Sequence, residues 1–189
     1  YIDFIKSITL KLSIPLVVSG GINSFKDAKK FFDLGADRII LNSALWNNPS
    51  IIKEISNIYG KQAVIASIDF IDVAEGIFAY DWRLKETRNS LLPNDIDKII
   101  PYVGEIILQD VSRDGKVIGA NIKKINQIIN DISLNVPFQI GSCGVVSWSQ
   151  YAELLKQDKI DAVAITNIHH MSDKANKSLR ELCVMENLN

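Results

Sequence analysis

Pro15-Leu-Val-Val-Ser-Gly-Gly-Ile22, followed by Ser24-Phe25, is an apolar run short enough to be a strand, then a glycine pair, then a serine placed to open a helix. The pattern returns about 123 residues later, where the strand Pro137 to Gly141 leads into Ser142-Cys-Gly-Val145 with Ser147-Trp148. Each copy is followed by a second strand ending in small polar residues. Arg38-Ile-Ile-Leu41 runs into Asn42-Ser43, and Ala162-Val-Ala-Ile165 into Thr166-Asn167. Backbone N–H groups freed by glycine and by a helix N-terminus bind phosphate without a charged side chain. Gly21 with Asn42 and Ser43 is therefore expected to form one phosphate site, and Cys143, Gly144, Thr166 and Asn167 a second. A single such unit reads equally well as a turn glycine beside a helix cap. Two related units favour a substrate with a phosphate at each end.

The alternation continues outward from these repeats. Ser24 to Leu34 places Phe25, Ala28, Phe31 and Phe32 at helical intervals and stops at Gly35, and Asn48-Pro49 caps and starts a helix that runs to Gly60. Ala63 to Ile68 is a buried strand ending at Asp69, and the charged, aromatic stretch from Phe70 to Leu92 holds a hairpin or long loop before a helix from Asn94. Then come strand Glu105 to Gln109, helix Ala120 to Ile132, strand Pro137 to Gly141, helix Ser147 to Lys156, strand Asp161 to Thr166 and a helix from about Ser172. Six strands alternating with helices describe an α/β chain with a parallel sheet. The doubled half favours a (βα)8 barrel over an open sheet, and no linker divides residues 1–189, so one domain is expected.

Composition narrows the function. With 189 residues, 47% of them hydrophobic, the chain can bury a core of its own. Lys and Arg number 21 against 22 Asp and Glu, with no basic run, which argues against nucleic acid and for small molecules as partners. Cys143 and Cys183 follow no metal-ligand spacing and suit a reducing cytoplasm better than a disulfide framework. Neither a metal nor a cofactor is expected. The apolar runs are strand-sized, which predicts no membrane span, and no signal peptide is visible. The first residues, Tyr1 to Leu10, have the spacing of a helix in progress, so the chain reads as beginning within a fold.

Several polar residues stand where chemistry is done. Asp69, at the end of an apolar strand, is placed to work as general acid or base in the mouth of a barrel, although a loop-start aspartate is an equally good reading of its position. Ser112-Arg-Asp-Gly115, with Gly119 beyond, reads as a turn able to close over substrate, and makes Asp110 and Asp114 secondary candidates. Arg38 and Glu105 begin their strands and so face the opposite end, where charge ordinarily serves stability or solvation. His169-His170 are read as a structural or solvated pair, and Trp46, Trp82 and Trp148 as packing residues.

These residues together resemble the histidine-biosynthesis barrels, above all the cyclase subunit of imidazole glycerol phosphate synthase. The similarity is densest through Ile14 to Ile22, Asp33 to Arg38, Leu41 to Ala44, Asn48-Pro49 and Gln62 to Asp69, and continues through Gly104 to Leu108 and Arg113-Asp-Gly115. It implies an eight-stranded (βα) barrel of which this chain holds about six units, with two strands lying before residue 1. In the family, ammonia from a glutaminase partner docked at the barrel bottom joins a bisphosphorylated ribulosyl formimino carboxamide nucleotide. Closure of the imidazole ring then releases imidazole glycerol phosphate and an aminoimidazole carboxamide ribotide. The resemblance implies that Asp69 is the catalytic aspartate of the family's fifth strand. It puts Gly21, Asn42 and Ser43 on one phosphate, and Asp114, Gly115, Gly144, Thr166 and Asn167 on the other. Arg38 and Glu105 fall in the charged ring through which ammonia enters.

The chain also departs from the family pattern. Ser112-Arg-Asp-Gly-Lys116 stands where the family has Asp-Arg-Asp-Gly-Thr, and Gly119-Ala-Asn121 where it has Gly-Tyr-Asp. Cys143 replaces a glycine, Thr166-Asn167 replaces Ala-Ser, and Lys116 adds a cation suited to phosphate. The stretch Asp110 to Gly115 resembles more closely the sister isomerase, which opens a ribose ring in the same kind of bisphosphate. Besides the cyclase and the isomerase, the pattern admits a paralogue that delivers ammonia to a nucleotide sugar or surface polysaccharide, and a non-catalytic partner of a glutaminase.

Overall fold

The computed structural model describes residues 2–9, 11–116, 118–132, 137–141, 144–164, 181 and 183–185. Their strands are β1 (Val17–Ser19), β2 (Arg38–Leu41), β3 (Val64–Val73), β4 (Gly76–Asp81), β5 (Glu86–Leu91), β6 (Glu105–Asp110), β7 (Phe138–Ile140) and β8 (Ile160–Val163). The helices are α1 (Ile2–Thr9), α2 (Phe25–Asp33), α3 (Ser43–Asn47), α4 (Ser50–Tyr59), α5 (Leu92–Ile99), α6 (Ile122–Asn130) and α7 (Trp148–Leu155). One sheet joins the strands in the order β1-β2-β3-β6-β7-β8, with every neighbour on that path parallel. A doubly wound sheet reverses its strand order at a switch point. Here the order follows the chain, as it does in a barrel wound in one direction.

Burial alternates along the strands because one sheet face is covered by helices. Ile39, Leu41, Val64, Ala66, Ile68, Phe70, Ile106 and Leu108 are sealed against them, together with Ile51, Ile52 and Ile55 of α4 and Ile125 and Ile128 of α6. Arg38, Ile40, Ser67, Glu105, Ile107 and Gln109 occupy the alternate positions and keep partial exposure. Asp69 shares their face and is nonetheless buried.

The expected strands of the parallel sheet are all found, with two corrections. β3 does not end at Asp69 but runs on to Val73, because its upper half pairs antiparallel with β4, Phe70 opposite Ala79 and Val73 opposite Gly76. Of the two alternatives expected for Phe70 to Leu92 the hairpin is the one found, β4 turning into β5, and its strands join the sheet, which has eight strands rather than six among the described residues. The next helix begins at Leu92, not Asn94, with Pro93 in its first turn, where a missing N–H costs nothing. Asn48 also caps differently from expectation: its side chain receives the Ser50 hydroxyl at 2.6 Å and its carbonyl the Ile51 N–H, while α4 starts after Pro49.

Arg88 fastens the hairpin to the body of the protein. Its guanidinium lies 4.8 Å from the Trp46 ring centre on α3, and its Nε reaches the buried Asp95 carboxylate of α5 at 3.1 Å, which Lys98 also approaches at 3.2 Å. Replacing Arg88 with Ala is expected to lower stability by about 2 kcal/mol, because a buried carboxylate loses a charged partner. Equilibrium urea unfolding of the variant against the parent measures it.

Candidate active site

The two repeated units adopt the same local structure. Ser24 caps α2 by accepting the Asp27 N–H at 3.2 Å, and Ser147 caps α7 by accepting the Gln150 N–H at the same distance. The glycine three residues before each cap has positive φ, +70° at Gly21 and +78° at Gly144, and the residue after each glycine, Ile22 or Val145, is buried. The sequence repeat is thus a structural repeat, with both glycines beyond the C-terminal ends of parallel strands. A Cβ on Gly21 would meet nothing within 4 Å, so its backbone is open to a ligand. Asn42 and Ser43 follow β2 beside it and begin α3.

The second unit is packed against the loop after β6. A Cβ on Gly144 would lie 2.7 Å from the Arg113 carbonyl oxygen, so only glycine lets these loops approach. The Asp110 carboxylate accepts the Ser112 N–H at 2.9 Å and its hydroxyl at 2.5 Å, Arg113 stands 3.7 Å from Asp110, and the Arg113 guanidinium donates to the Gly119 carbonyl at 2.8 Å. Gln150 spans the gap, accepting the N–H groups of Ala120 and Val146 and donating to the Ala120 carbonyl. Ser112 to Gly115 is therefore a braced turn, and Asp110, buried on the helix side of β6, braces it rather than facing ligand. Gly115, at φ +72°, has open space where a Cβ would stand, and Lys116 beside it is exposed.

Asp69 lies between these loops, on the strand that separates β2 from β6. The Asn42 amide donates to its Oδ2 at 2.9 Å and to the Ser67 carbonyl at 3.1 Å, so the Asn42 side chain is directed at the carboxylate and leaves its backbone for any phosphate. The charge of Asp114 acts on the carboxylate from the loop after β6. Asp114 is itself within 3.4 Å of the Gln109 amide. Burial pushes the Asp69 carboxyl above its ordinary value, the hydrogen bond from Asn42 and the polar indole of Trp82 nearby oppose that rise, and Asp114 adds to it. Trp82 packs edge to face against Tyr80, with 4.9 Å between ring centres.

The raised carboxyl has a consequence for stability. Folded Asp69 holds its proton more tightly than the unfolded chain does, so the associated stabilisation is complete below the ordinary carboxyl value of 3.8 and is lost as pH rises through the folded-state value. Asp69→Asn is accordingly expected to raise the melting temperature near neutral pH and to make melting less pH-dependent on the acid side. Thermal melts of parent and variant across that range check both.

Arg38 and Glu105 stand at the opposite ends of β2 and β6, and the Arg38 guanidinium donates to Glu105 across the inner face of β3. Thr166, Asn167, Cys143 and the His169-His170 pair lie outside the described residues. Among the described residues no cluster of His, Cys, Asp and Glu suits a metal, and no helix is long and apolar enough to cross a membrane.

The family model described as histidine biosynthesis protein matches residues 1–174. The chain belongs to this family. Its similarity to individual members is modest. It is 28% identical to the imidazole glycerol phosphate synthase subunit HisF of Lactococcus lactis, over 94% of this chain and 69% of the relative. It is 29% identical to the HisF subunit of Methanopyrus kandleri, over 89% of this chain and 68% of that one. A Prochlorococcus marinus relative, its subunit designated hisF2, is 30% identical over 76% of this chain. The chain spans 56% of the length of that last protein. For a family with a parallel α/β sheet, the site lies where its chemistry is expected, at the C-terminal ends of the strands.

Proposed function

We propose that this chain forms six of the eight units of an imidazole glycerol phosphate synthase cyclase barrel, and that it works with ammonia supplied by a glutaminase subunit. The observation that carries this reading is the placement of Asp69 between two matched glycine loops. Strands lie about 4.8 Å apart, so β1 and β7, four steps apart in the sheet, set their loops roughly 19 Å apart along the sheet and less across its curve. That is the span of a nucleotide with a phosphate at each end. Gly21, the Asn42 backbone and Ser43 hold one phosphate, and Gly115, Gly144, Thr166 and Asn167 the other, with Lys116 adding charge.

Asp69 accepts the proton that the ammonia nitrogen sheds as it adds to the ribulosyl carbonyl carbon, whose oxygen leaves as water, then returns a proton to the aminoimidazole nitrogen as its bond to the formimino carbon breaks and the new ring closes. A raised carboxyl suits both steps, since the group is a stronger acid–base mediator near the operating pH than an ordinary aspartate. Asp114 is the second carboxylate of the site. Arg38 and Glu105 belong to the charged ring at the opposite end, which admits ammonia from the partner. The names of the HisF relatives, each a synthase subunit, support a partner of this kind.

The isomerase is kept as a second reading because the braced turn Asp110 to Gly115 suits it. Full-length protein is assayed with the formimino nucleotide and ammonium salt, and in parallel with the isomerase substrate. Ammonium-dependent formation of imidazole glycerol phosphate is the expected result. Turnover of the isomerase substrate alone would replace the cyclase, and silence on both would favour an ammonia-delivering paralogue or a non-catalytic partner.

A further inference from the structure

Asp27 and Gln150 occupy the same place in the two repeated units, each the sixth residue after its glycine, Gly21 or Gly144, and each in the first turn of its helix, α2 or α7. Both side chains fold back on the loop before the helix. The Asp27 carboxylate accepts the Asn23 N–H at 3.2 Å and the Ser24 hydroxyl at 2.7 Å, and the Gln150 amide oxygen accepts the Val146 N–H, the counterpart of Asn23, at 3.3 Å. This is the reciprocal cap of a helix start. One methylene longer, the Gln150 side chain also crosses to the loop after β6, where its oxygen accepts the Ala120 N–H at 3.1 Å and its NH2 donates to the Ala120 carbonyl at 3.2 Å.

A circuit closes through these contacts. Gly119, just before Ala120, gives its carbonyl to the Arg113 guanidinium at 2.8 Å, and the Arg113 carbonyl is the atom that a Cβ on Gly144 would meet at 2.7 Å. Gly119 is equally close to the clip: a Cβ there would lie 2.9 Å from the Gln150 nitrogen. Gly115 sits within the circuit, at φ +72° and with open space where a Cβ would stand. Two N–H groups face one end of the Gln150 side chain and a carbonyl the other, so the position calls for a group that accepts and donates together, a primary amide. A carboxylate there would keep the accepted bonds and lose the donated one.

We propose that Gln150 is a positioning residue that locks the loop after β6 to the second glycine loop, so that Gly115 and Gly144 act as one anion-binding unit while the first glycine loop is capped from within. The proposal rests on the reading of these loops as phosphate sites. It deepens that reading by making the two ends of the substrate depend on different devices.

Two measurements on full-length protein test it. In the first, native-state hydrogen exchange follows the Ala120 and Val146 amides, with Asn23 as the internal control. Gln150→Leu is expected to speed exchange of the first two by about fivefold, the value of one modest hydrogen bond, and to leave Asn23 unchanged. Gln150→Glu, which keeps both accepted bonds, is expected to retain most of the protection. Unchanged exchange at Ala120 in Gln150→Leu would overturn the clip whether or not the protein binds a nucleotide. In the second, parent and Gln150→Leu are titrated calorimetrically with the bisphosphorylated formimino nucleotide and with the two forms lacking one or the other phosphate. The variant is expected to bind the bisphosphate and one of the two forms about tenfold more weakly, and the other form, which lacks the phosphate of the second loop, as tightly as the parent does. A loss equal for all three ligands would make Gln150 merely structural and overturn the proposal. Failure of the parent to bind any of the three would refute the phosphate reading itself, and the exchange measurement would still decide whether Gln150 joins the loops.

Discussion

Asp69→Asn in the full-length protein is expected to reduce kcat by about 100-fold or more, the contribution typical of a positioned acid–base group. The change keeps shape and volume, and the Asn42 amide still finds an oxygen to bond, so the site geometry survives. What is lost is the ability to take and return a proton. Because burial and Asp114 both disfavour the charged form, the variant is expected to be less active and more heat-stable together. That pairing separates a catalytic from a structural carboxylate: a residue held for stability would lose both. Steady-state kinetics with saturating ammonium, run beside thermal melts, gives the two readouts. Turnover within a few-fold of the parent would remove Asp69 from catalysis.

Gly144→Ala is expected to be more damaging than Gly21→Ala in the matched glycine loop. The new Cβ would lie 2.7 Å from the Arg113 carbonyl oxygen and 3.1 Å from the Arg113 Cβ, in a backbone at φ +78° that side chains avoid. Backbone strain and the displaced loop together cost about 2 to 4 kcal/mol. The displacement carries Gly115 with it, so affinity for a bisphosphorylated ligand falls at least about tenfold, which corresponds to about 1.4 kcal/mol. Gly21→Ala provides the control. It shares the positive φ but meets no neighbour within 4 Å, so it costs only the left-handed backbone, about 1 to 2 kcal/mol. Urea unfolding and ligand titration of the two variants should rank Gly144→Ala as the worse in both. Equal losses would mean that contact with the Arg113 turn does not hold the second loop.

The parallel sheet was legible because its strands are short apolar runs and several of the helices that follow them carry their own caps, as at Ser24, Asn121 and Ser147. The hairpin was harder to read. Its strands are half exposed and carry Asp81 and Arg88, with Trp82 in the turn between them, so composition there resembles a loop, and long-range contacts, above all pairing with the upper half of β3, give it order. The same long-range pairing placed Asp69 in mid-strand rather than at an end. Arg38 and Glu105 are 67 residues apart, and nothing local to either predicts their ion pair. Asp110 reads like a site residue by position, yet strand alternation turns it to the helix side, where it holds the Ser112 turn. Local chemistry was written in the sequence, while contacts between distant strands emerged only from the fold.

In the proposed function the two glycine loops act on one substrate around Asp69. Calorimetric titration of the full-length protein with the bisphosphorylated formimino nucleotide, and with the two forms lacking one or the other phosphate, tests it most directly. Each phosphate is held by charge-assisted hydrogen bonds worth about 1.5 to 3 kcal/mol apiece, so removal of either is predicted to weaken binding by about 100-fold. A form lacking one phosphate that binds as tightly as the parent nucleotide would contradict the paired site.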